Sequence, residues 1–211
     1  MKSLISLLKT RLNNIREFFW PLLDSEKPSS TDIEPPPFKL QVDEENLDQF
    51  LILTNKINDA EEDRRKGIES KASLFISTIS VATSIVVAAN SMVISNSTFG
   101  FHVMISVFIS FILSIYAVRT VWFAVKALER GNYSVLGLKE INFKGSKVNF
   151  QKHLVSCLVN NKKYNQSTIN SKADMVMMAQ EYYKRAIIMI SIFSLHVLIQ
   201  CTLKYFSNYI Q

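Results

Sequence analysis

The sequence has no proline after residue 37, because all five prolines lie among the first 37 positions. A proline inside a helix removes a backbone donor and breaks the helix, so its absence permits long unbroken helices through the remainder of the chain. Glycine is also scarce, with five residues in 211. None of the glycines falls in a phosphate-binding motif, which excludes a glycine-rich nucleotide loop of known spacing.

Charge is missing from three long stretches, at residues 72–94, 101–118 and 186–203. A crossing of the hydrocarbon core takes about 20 apolar residues, with about 17 as the lower limit. Buried helices of soluble domains are usually shorter and amphipathic, whereas these stretches carry no charge on any face. The sequence therefore predicts an all-α integral membrane protein with three transmembrane helices and cytosolic helical extensions. Its predicted spans are residues 72–95, 101–125 and 186–206.

Four further segments follow from composition. Residues 1–23 combine basic residues with an apolar stripe at helical spacing, which predicts an amphipathic helix that lies on the membrane surface or packs on another part of the protein. Residues 24–42 form a proline-rich linker. Residues 43–71 follow helical spacing and run into the first span without a break, so one helix is expected to pass from water into the bilayer. Residues 126–185 are predicted to form a basic cytosolic helical segment.

Within the basic segment the pattern predicts two helices. Residues 149–161 have a short amphipathic pattern. A second helix is expected to start near Ser171, because Ser171 and Asp174 have the spacing of a capping box, with Asp in place of the usual Glu or Gln. This second helix would continue into the third span.

Basic residues are distributed unevenly around the uncharged stretches. Residues 126–185 hold 11 Lys and Arg against 4 Asp and Glu, whereas the connection at 95–100 has no charge. Cytosolic loops carry the excess of Lys and Arg, so we expect the N-terminus inside and the connection outside. Topology accounts for most of the basic excess, although contact of this segment with anionic lipid or nucleic acid stays open.

Rows of serine run along the first two predicted spans. Small residues at this spacing let membrane helices approach closely, and their hydroxyls can bond across the contact. Packing within one chain, contact with a neighbouring subunit and the lining of a water path all remain open. The helix-packing or pore candidates are Ser77, Ser80, Ser84, Ser106, Ser110 and Ser114.

Three other polar residues lie within or beside the spans. Arg119 interrupts the apolar run of the second span, either as an intramembrane charge with a role in conduction or as an interfacial residue whose side chain reaches toward the headgroups. His196 and Gln200 are four positions apart on the third span. We interpret them as a hydrogen-bonding pair in a helix contact rather than as a proton relay.

No motif indicates catalysis or a cofactor. His153 and Cys157 lie four positions apart on one helical face, but two ligands do not make a metal site. The two cysteines, Cys157 and Cys201, fall at different depths of the predicted topology, which argues against a disulfide. No order of serine, histidine and acid suggests a nucleophilic triad. We therefore expect a protein that is not an enzyme and binds no metal or cofactor.

The layout resembles a known class of proteins. DRRKGIESKASLFISTISVATSIVVAAN leads from charge into the first span, VFISFILSIYAVRTVWFAVKAL forms most of the second, and INSKADMVMMAQEYYKRAIIMISIF leads into the third. Together they resemble the small transmembrane effectors of bacterial anti-phage defence: the SLATT-type proteins, the membrane effectors of Pycsar and CBASS systems, and the membrane effector of some retrons. Such proteins are held silent until infection is sensed, and they then damage the inner membrane.

The resemblance implies a multi-pass protein of the bacterial inner membrane, with a cytoplasmic N-terminus, that acts as a homo-oligomer in abortive infection. No second-messenger domain is recognisable. The expected regulator is therefore a protein or ribonucleoprotein encoded nearby, such as a retron reverse transcriptase with its RNA and DNA. The alternative is a structural or scaffolding membrane protein that docks a cytosolic partner. A small transporter is a third reading, for which three spans leave little room unless the chain oligomerises.

Overall fold

The computed structural model describes residues 11, 16, 17, 20, 21, 43–95 and 100–210. Throughout these residues the regular structure is helical and includes no strand, which confirms the predicted all-helical class. The predicted N-terminal helix 1–23, the linker 24–42 and the connection 96–99 lie wholly or largely outside the described residues. The helices are a short 3-10 turn at Glu44–Asn46, α1 at Leu47–Ser95, α2 at Phe101–Leu128, α3 at Leu138–Ile141 and α4 at Lys147–Ile210.

Three of these helices, α1, α2 and α4, each contain a stretch long and apolar enough to cross a membrane. In those stretches only 17%, 33% and 11% of the residues, respectively, are buried inside the chain. Apolar helices of a water-soluble core would be covered far more completely, because burial of apolar surface is what stabilises such a core. Length, composition and exposure are thus compatible with a multi-pass membrane protein.

The chain forms two compact units. Unit 1 contains residues 1–24, 72–126 and 175–211, and unit 2 contains residues 25–71 and 127–174. The chain passes from one unit to the other inside α1, between residues 71 and 72, near the end of α2, between residues 126 and 127, and inside α4, between residues 174 and 175.

Unit 1 is held together around an aromatic residue of α4, Tyr182, which is 1% exposed. Its ring stacks on Phe123 of α2 at 5.5 Å between ring centroids and lies 6.4 Å from Tyr116. Trp20 meets the same ring edge-on at 5.9 Å. Other apolar residues extend this core along the helices, and the buried ones include Ile79, Val86, Ile109, Leu113 and Phe193.

Unit 2 combines a small apolar core with long-range polar contacts. Leu47 and Val155 are fully covered, at 1% and 0% exposed. Lys172 of α4 donates to Glu69 of α1 at 2.9 Å between Nζ and Oε1. Gly131 approaches α4 so closely that a Cβ atom there would lie 2.5 Å from the Cγ2 methyl of Thr168, so with a larger residue either the Thr168 side chain or the backbone would have to shift. Such a close approach is a common reason for a glycine outside a turn.

The predicted division of the basic segment into two helices is wrong. Residues 147–210 form one helix of 64 residues, so neither the end near residue 161 nor the start near Ser171 exists. The polar stretch between them contains no proline or glycine that would stop a helix. Within it, Ile169 is buried and maintains the apolar face, whereas Ser171 and Asp174 are exposed on a continuing helix instead of capping a new one.

Candidate functional site

An apolar groove runs between α1 and α2 in unit 1, with a volume of about 710 Å³. Among the described residues that line the groove, the polar side chains other than the indole of Trp122 are hydroxyls of α1. Two of the predicted helix-packing or pore candidates, Ser80 and Ser84, thus form part of one wall. The other lining residues are Ile79, Thr83, Val87, Ala88, Ala117, Val118, Val121, Trp122 and Val125.

The hydroxyls of the groove are already bonded within α1. Ser80 donates to the carbonyl of Ile76 at 2.7 Å, Thr83 to that of Ile79 at 2.7 Å, and Ser84 to that of Ser80 at 2.9 Å. A hydroxyl bonded to the carbonyl one turn earlier needs no tertiary donor or acceptor. The groove therefore presents small, internally satisfied side chains against which a helix or an acyl chain can lie. Nothing in this wall resembles an activated nucleophile.

The remaining serines fall into two groups. Ser77 and Ser114 are exposed and donate to backbone carbonyls of their own helices. Ser106 is 0% exposed, and Ser110 is partly covered. The Oγ atoms of both inward serines are buried without a hydrogen-bond partner in the part of the chain that the structure describes. The second row is thus split between the interior of unit 1 and its surface.

Arg119 is held by an aromatic contact that the sequence did not indicate. Its guanidinium carbon lies 4.1 Å from the centroid of the Trp20 ring, and the side chain is half-buried. A guanidinium over an indole face is stabilised by the ring quadrupole. Lys126, two turns further along α2, lies 5.6 Å from the Trp122 ring.

His196 and Gln200 do not form the predicted pair. Gln200 Nε2 instead lies 2.8 Å from Nδ1 of His102 on α2, so its hydrogen bond joins α4 to α2. His196 Nε2 is buried without a hydrogen-bond partner among the described residues. His102 was missed because its partner lies 98 positions away in the sequence, beyond any local pattern.

The N-terminal segment contacts α4 through backbone carbonyls. Tyr182 donates its hydroxyl to the carbonyl of Pro21 at 3.1 Å, and Arg185 donates to the carbonyl of Glu17 at 3.2 Å. Arg185 also contacts Glu181, which accepts from Lys184 at 2.8 Å. The hydrogen bond from Lys184, followed by that from Arg185, lowers the pKa of the Glu181 carboxyl, although partial burial opposes the shift.

The side chains of His153 and Cys157 contact each other and pack within unit 2. The two side chains are 3.7 Å apart between Nε2 and Sγ, and the His153 ring stacks on Phe143 at 4.8 Å between centroids. Burial, together with the charge of Glu140, raises the pKa of the Cys157 thiol, which opposes the thiolate form that binds metals. No group of three or more potential metal ligands occurs among the described residues.

Comparison with known proteins gives one partial similarity. A sequence model of the Herpes UL92 family matches residues 31–129, a stretch that spans α1 and α2 and covers just under half of the chain. No curated protein and no solved structure matches this chain.

Proposed function

We propose that this chain is an inner-membrane effector of a bacterial anti-phage system that disrupts membrane integrity as a homo-oligomer. The apolar stretches of α1, α2 and α4 would cross the bilayer, with the N-terminus and unit 2 in the cytoplasm. A sensor protein or ribonucleoprotein, such as a retron reverse transcriptase with its RNA and DNA, would hold it silent until infection. No catalytic step is required, because damage to the membrane is itself the effect.

The observation that carries the proposal is the groove between α1 and α2. In a bilayer, helices do not associate through the hydrophobic effect, so close packing at small residues supplies much of the association. The Ser80 and Ser84 wall offers that packing surface, and both residues remain exposed in the single chain. We take the occupant to be a helix of a second copy.

A single copy offers little to enclose a permeation path. Three apolar helices with an aliphatic and aromatic interior fill the space between them, as the core around Tyr182 does. A path for water or ions therefore needs several copies. Exposed hydroxyls on α1 and α2, such as those of Ser77 and Ser114, are the polar groups that such an assembly could turn toward the path.

Expression in bacteria without neighbouring genes tests the proposal. Induction should depolarise the inner membrane and admit an impermeant DNA dye before growth stops. The membrane fraction should be blotted in parallel, so that cells with equal amounts of inserted protein are compared. Fully polarised cells at high levels of inserted protein would contradict an effector role and favour the scaffolding alternative.

The scaffolding alternative rests on unit 2. Long-range polar contacts, such as that of the buried Lys172 with Glu69, tie its helices together and would give a stable platform for a cytosolic protein. In that case unit 1 would be an anchor only. Substitutions in its groove would then leave cell growth unchanged, and the binding partner would be recovered with unit 2.

A further inference from the structure

Unit 2 contains a second cavity, of about 250 Å³, lined by α1, the segment before α3, and α4. Four of its lining side chains carry a buried polar atom that has no hydrogen-bond partner within the described residues. These atoms are Asn58 Nδ2, Glu61 Oε2, Arg65 Nε and Tyr133 Oη.

Such atoms are costly when they are left unpaired. A buried donor or acceptor without a partner costs about 1–3 kcal/mol, so native structures rarely leave several in one place. Here they converge on one cavity. Glu61 Oε2 has an ion contact with Arg64 at 3.7 Å, which is too long for a hydrogen bond.

The wall of the cavity is otherwise fixed by hydrogen bonds. Asn165 accepts from the backbone N–H of Ser134 at 2.8 Å and donates to its carbonyl at 2.8 Å. The hydroxyl of Ser134 donates to Asn161 at 2.6 Å. These hydrogen bonds attach the segment that carries Tyr133 to α4. They therefore fix this wall of the cavity in place.

The unpaired atoms define the chemistry of a ligand. Asn58 and Arg65 can only donate through these atoms, Glu61 can only accept when it is ionised, and Tyr133 can do either. A ligand must therefore offer acceptors and a donor side by side, as the edge of a nucleobase does. Apolar side chains complete the cavity and suit the faces of a flat ring; they are Val135, Leu136, Leu158 and Ile169.

Charge and size narrow the class further. Three carboxylates and two cations line the cavity, and Arg65 is engaged by Glu62 at 2.6 Å and lies 4.9 Å from the Tyr133 ring centroid. Because carboxylates outnumber cations among the described lining residues, the cavity is net negative, which disfavours a phosphate group. The volume is also below the roughly 300 Å³ at which drug-sized ligand pockets begin. We propose that this cavity binds a neutral nucleobase or nucleoside through Asn58, Glu61, Arg65 and Tyr133.

The site lies within unit 2, and the proposal stands whether or not the chain damages membranes. The test uses the purified full chain in lipid nanodiscs. Adenosine, guanosine, cytidine and uridine, each with its 5′-monophosphate, are titrated by calorimetry. We expect at least one nucleoside to bind with a Kd below about 1 mM and its monophosphate to bind at least about tenfold more weakly.

Two variants assign the binding to this cavity. Tyr133→Phe and Asn58→Ala should each weaken the nucleoside about tenfold, since each removes one buried hydrogen bond to the ligand. Tyr133→Phe also removes an unpaired hydroxyl, so the ligand-free protein should melt no earlier than the wild type. The matched control is Tyr164→Phe, an exposed tyrosine of α4 outside the cavity, which should leave the affinity unchanged.

Three results would overturn the proposal. The first is the absence of binding below about 1 mM by all four nucleosides, which would mean that the cavity is a structural polar pocket. The second is tighter binding of a monophosphate, which would contradict a neutral ligand. The third is an affinity that Tyr133→Phe and Asn58→Ala do not change, which would place any binding elsewhere.

Discussion

The two units satisfy their polar side chains in different ways. In unit 1 most serine and threonine hydroxyls donate to a carbonyl one turn earlier in the same helix, as at Thr78, Ser80, Thr83, Ser84, Ser91, Ser114, Thr120, Ser191, Ser194 and Thr202. In unit 2 side chains bond across the sequence. Lys172 contacts Glu69 and Arg64 contacts Asn170, over 103 and 106 positions.

The proposed position of unit 1 in the membrane and of unit 2 in water would account for this difference. A hydroxyl in hydrocarbon has no water to bond, so the backbone of its own helix is the nearest acceptor. In water, a polar contact between helices adds little net energy but fixes which residues face each other. We therefore expect contacts at the surface of unit 1 to depend on the shape of its side chains. Contacts between the helices of unit 2 should depend on specific polar pairs. The following predictions test this contrast, from the largest expected effect to the smallest.

Larger side chains in the groove should have the largest effect on oligomer formation and toxicity. Ser80→Leu and Ser84→Leu fill the groove between α1 and α2 while the span stays apolar, so a neighbouring helix is displaced. We expect both variants to abolish oligomer cross-linking and growth arrest at normal membrane levels. The alanine variants keep the small size and should retain most of both, because a membrane hydrogen bond is worth only about 0.6 kcal/mol on average.

Ser91→Leu is the matched control for this test. Ser91 is an exposed serine of α1 that bonds to its own helix in the same way but lies outside the groove. It should remain toxic and oligomeric. If alanine were as damaging as leucine at Ser80, the hydroxyl itself would matter, and an account based on packing would fail.

Labelling by an impermeant thiol reagent should differ completely between a cysteine in unit 1 and a cysteine in unit 2. In a background with Cys157→Ser and Cys201→Ser, a cysteine at Thr98 should react with an impermeant maleimide added to intact cells. A cysteine at Lys147 should react only after the cells are lysed. This follows from the basic excess of residues 126–185 and the uncharged connection before α2. The reverse pattern would mean that the topology is inverted.

Removing one long-range pair should loosen unit 2 measurably. Lys172 is 7% exposed and also lies 5.6 Å from the Tyr133 ring, so Lys172→Ala removes an ion pair and a cation–π contact together. We expect a loss of about 1–3 kcal/mol in local stability, since Glu69 is left partly desolvated. Hydrogen exchange of residues 60–70 would report it. Equal exchange in the variant would show that the pair contributes nothing.

The smallest effect concerns pH. The pKa of Glu181 is lowered in the folded chain, so its stabilising contribution is present above the ordinary carboxyl pKa of about 4.3 and disappears as the pH falls through the folded value. Glu181→Gln should therefore melt slightly earlier than the wild type at pH 7, and the difference should shrink as the pH falls. Because the side chain is 41% exposed, the difference should also shrink in salt. A difference that does not shrink on acidification would rule out this charge as the cause.

The helices could be predicted from the sequence, whereas their contacts could not. Missing prolines and uncharged stretches were enough to predict the three long apolar helices. The continuity of α4 was missed because a polar stretch with a serine cap signal was read as a break. In the structure that stretch is part of one continuous helix, in which Ile169 is buried.

Contacts between distant residues left no local signal. The Trp20 ring under Arg119, the His102 to Gln200 bond and the cavity beside Tyr133 each join elements far apart in the sequence. Periodicity describes the faces of one helix and does not reveal which face of another helix it meets. Only the arrangement of the helices reveals that unpaired polar atoms of unit 2 converge on one cavity.

Reconstitution of the purified chain tests the membrane-damaging role most directly. The wild type, Ser80→Leu and Ser91→Leu are placed in vesicles of anionic and zwitterionic lipid that contain a self-quenched dye. We expect the wild type and Ser91→Leu to release dye with a steeper than linear dependence on the protein-to-lipid ratio, and Ser80→Leu to release almost none. Intact vesicles with the wild type, or equal release by Ser80→Leu, would contradict an oligomer assembled through the groove.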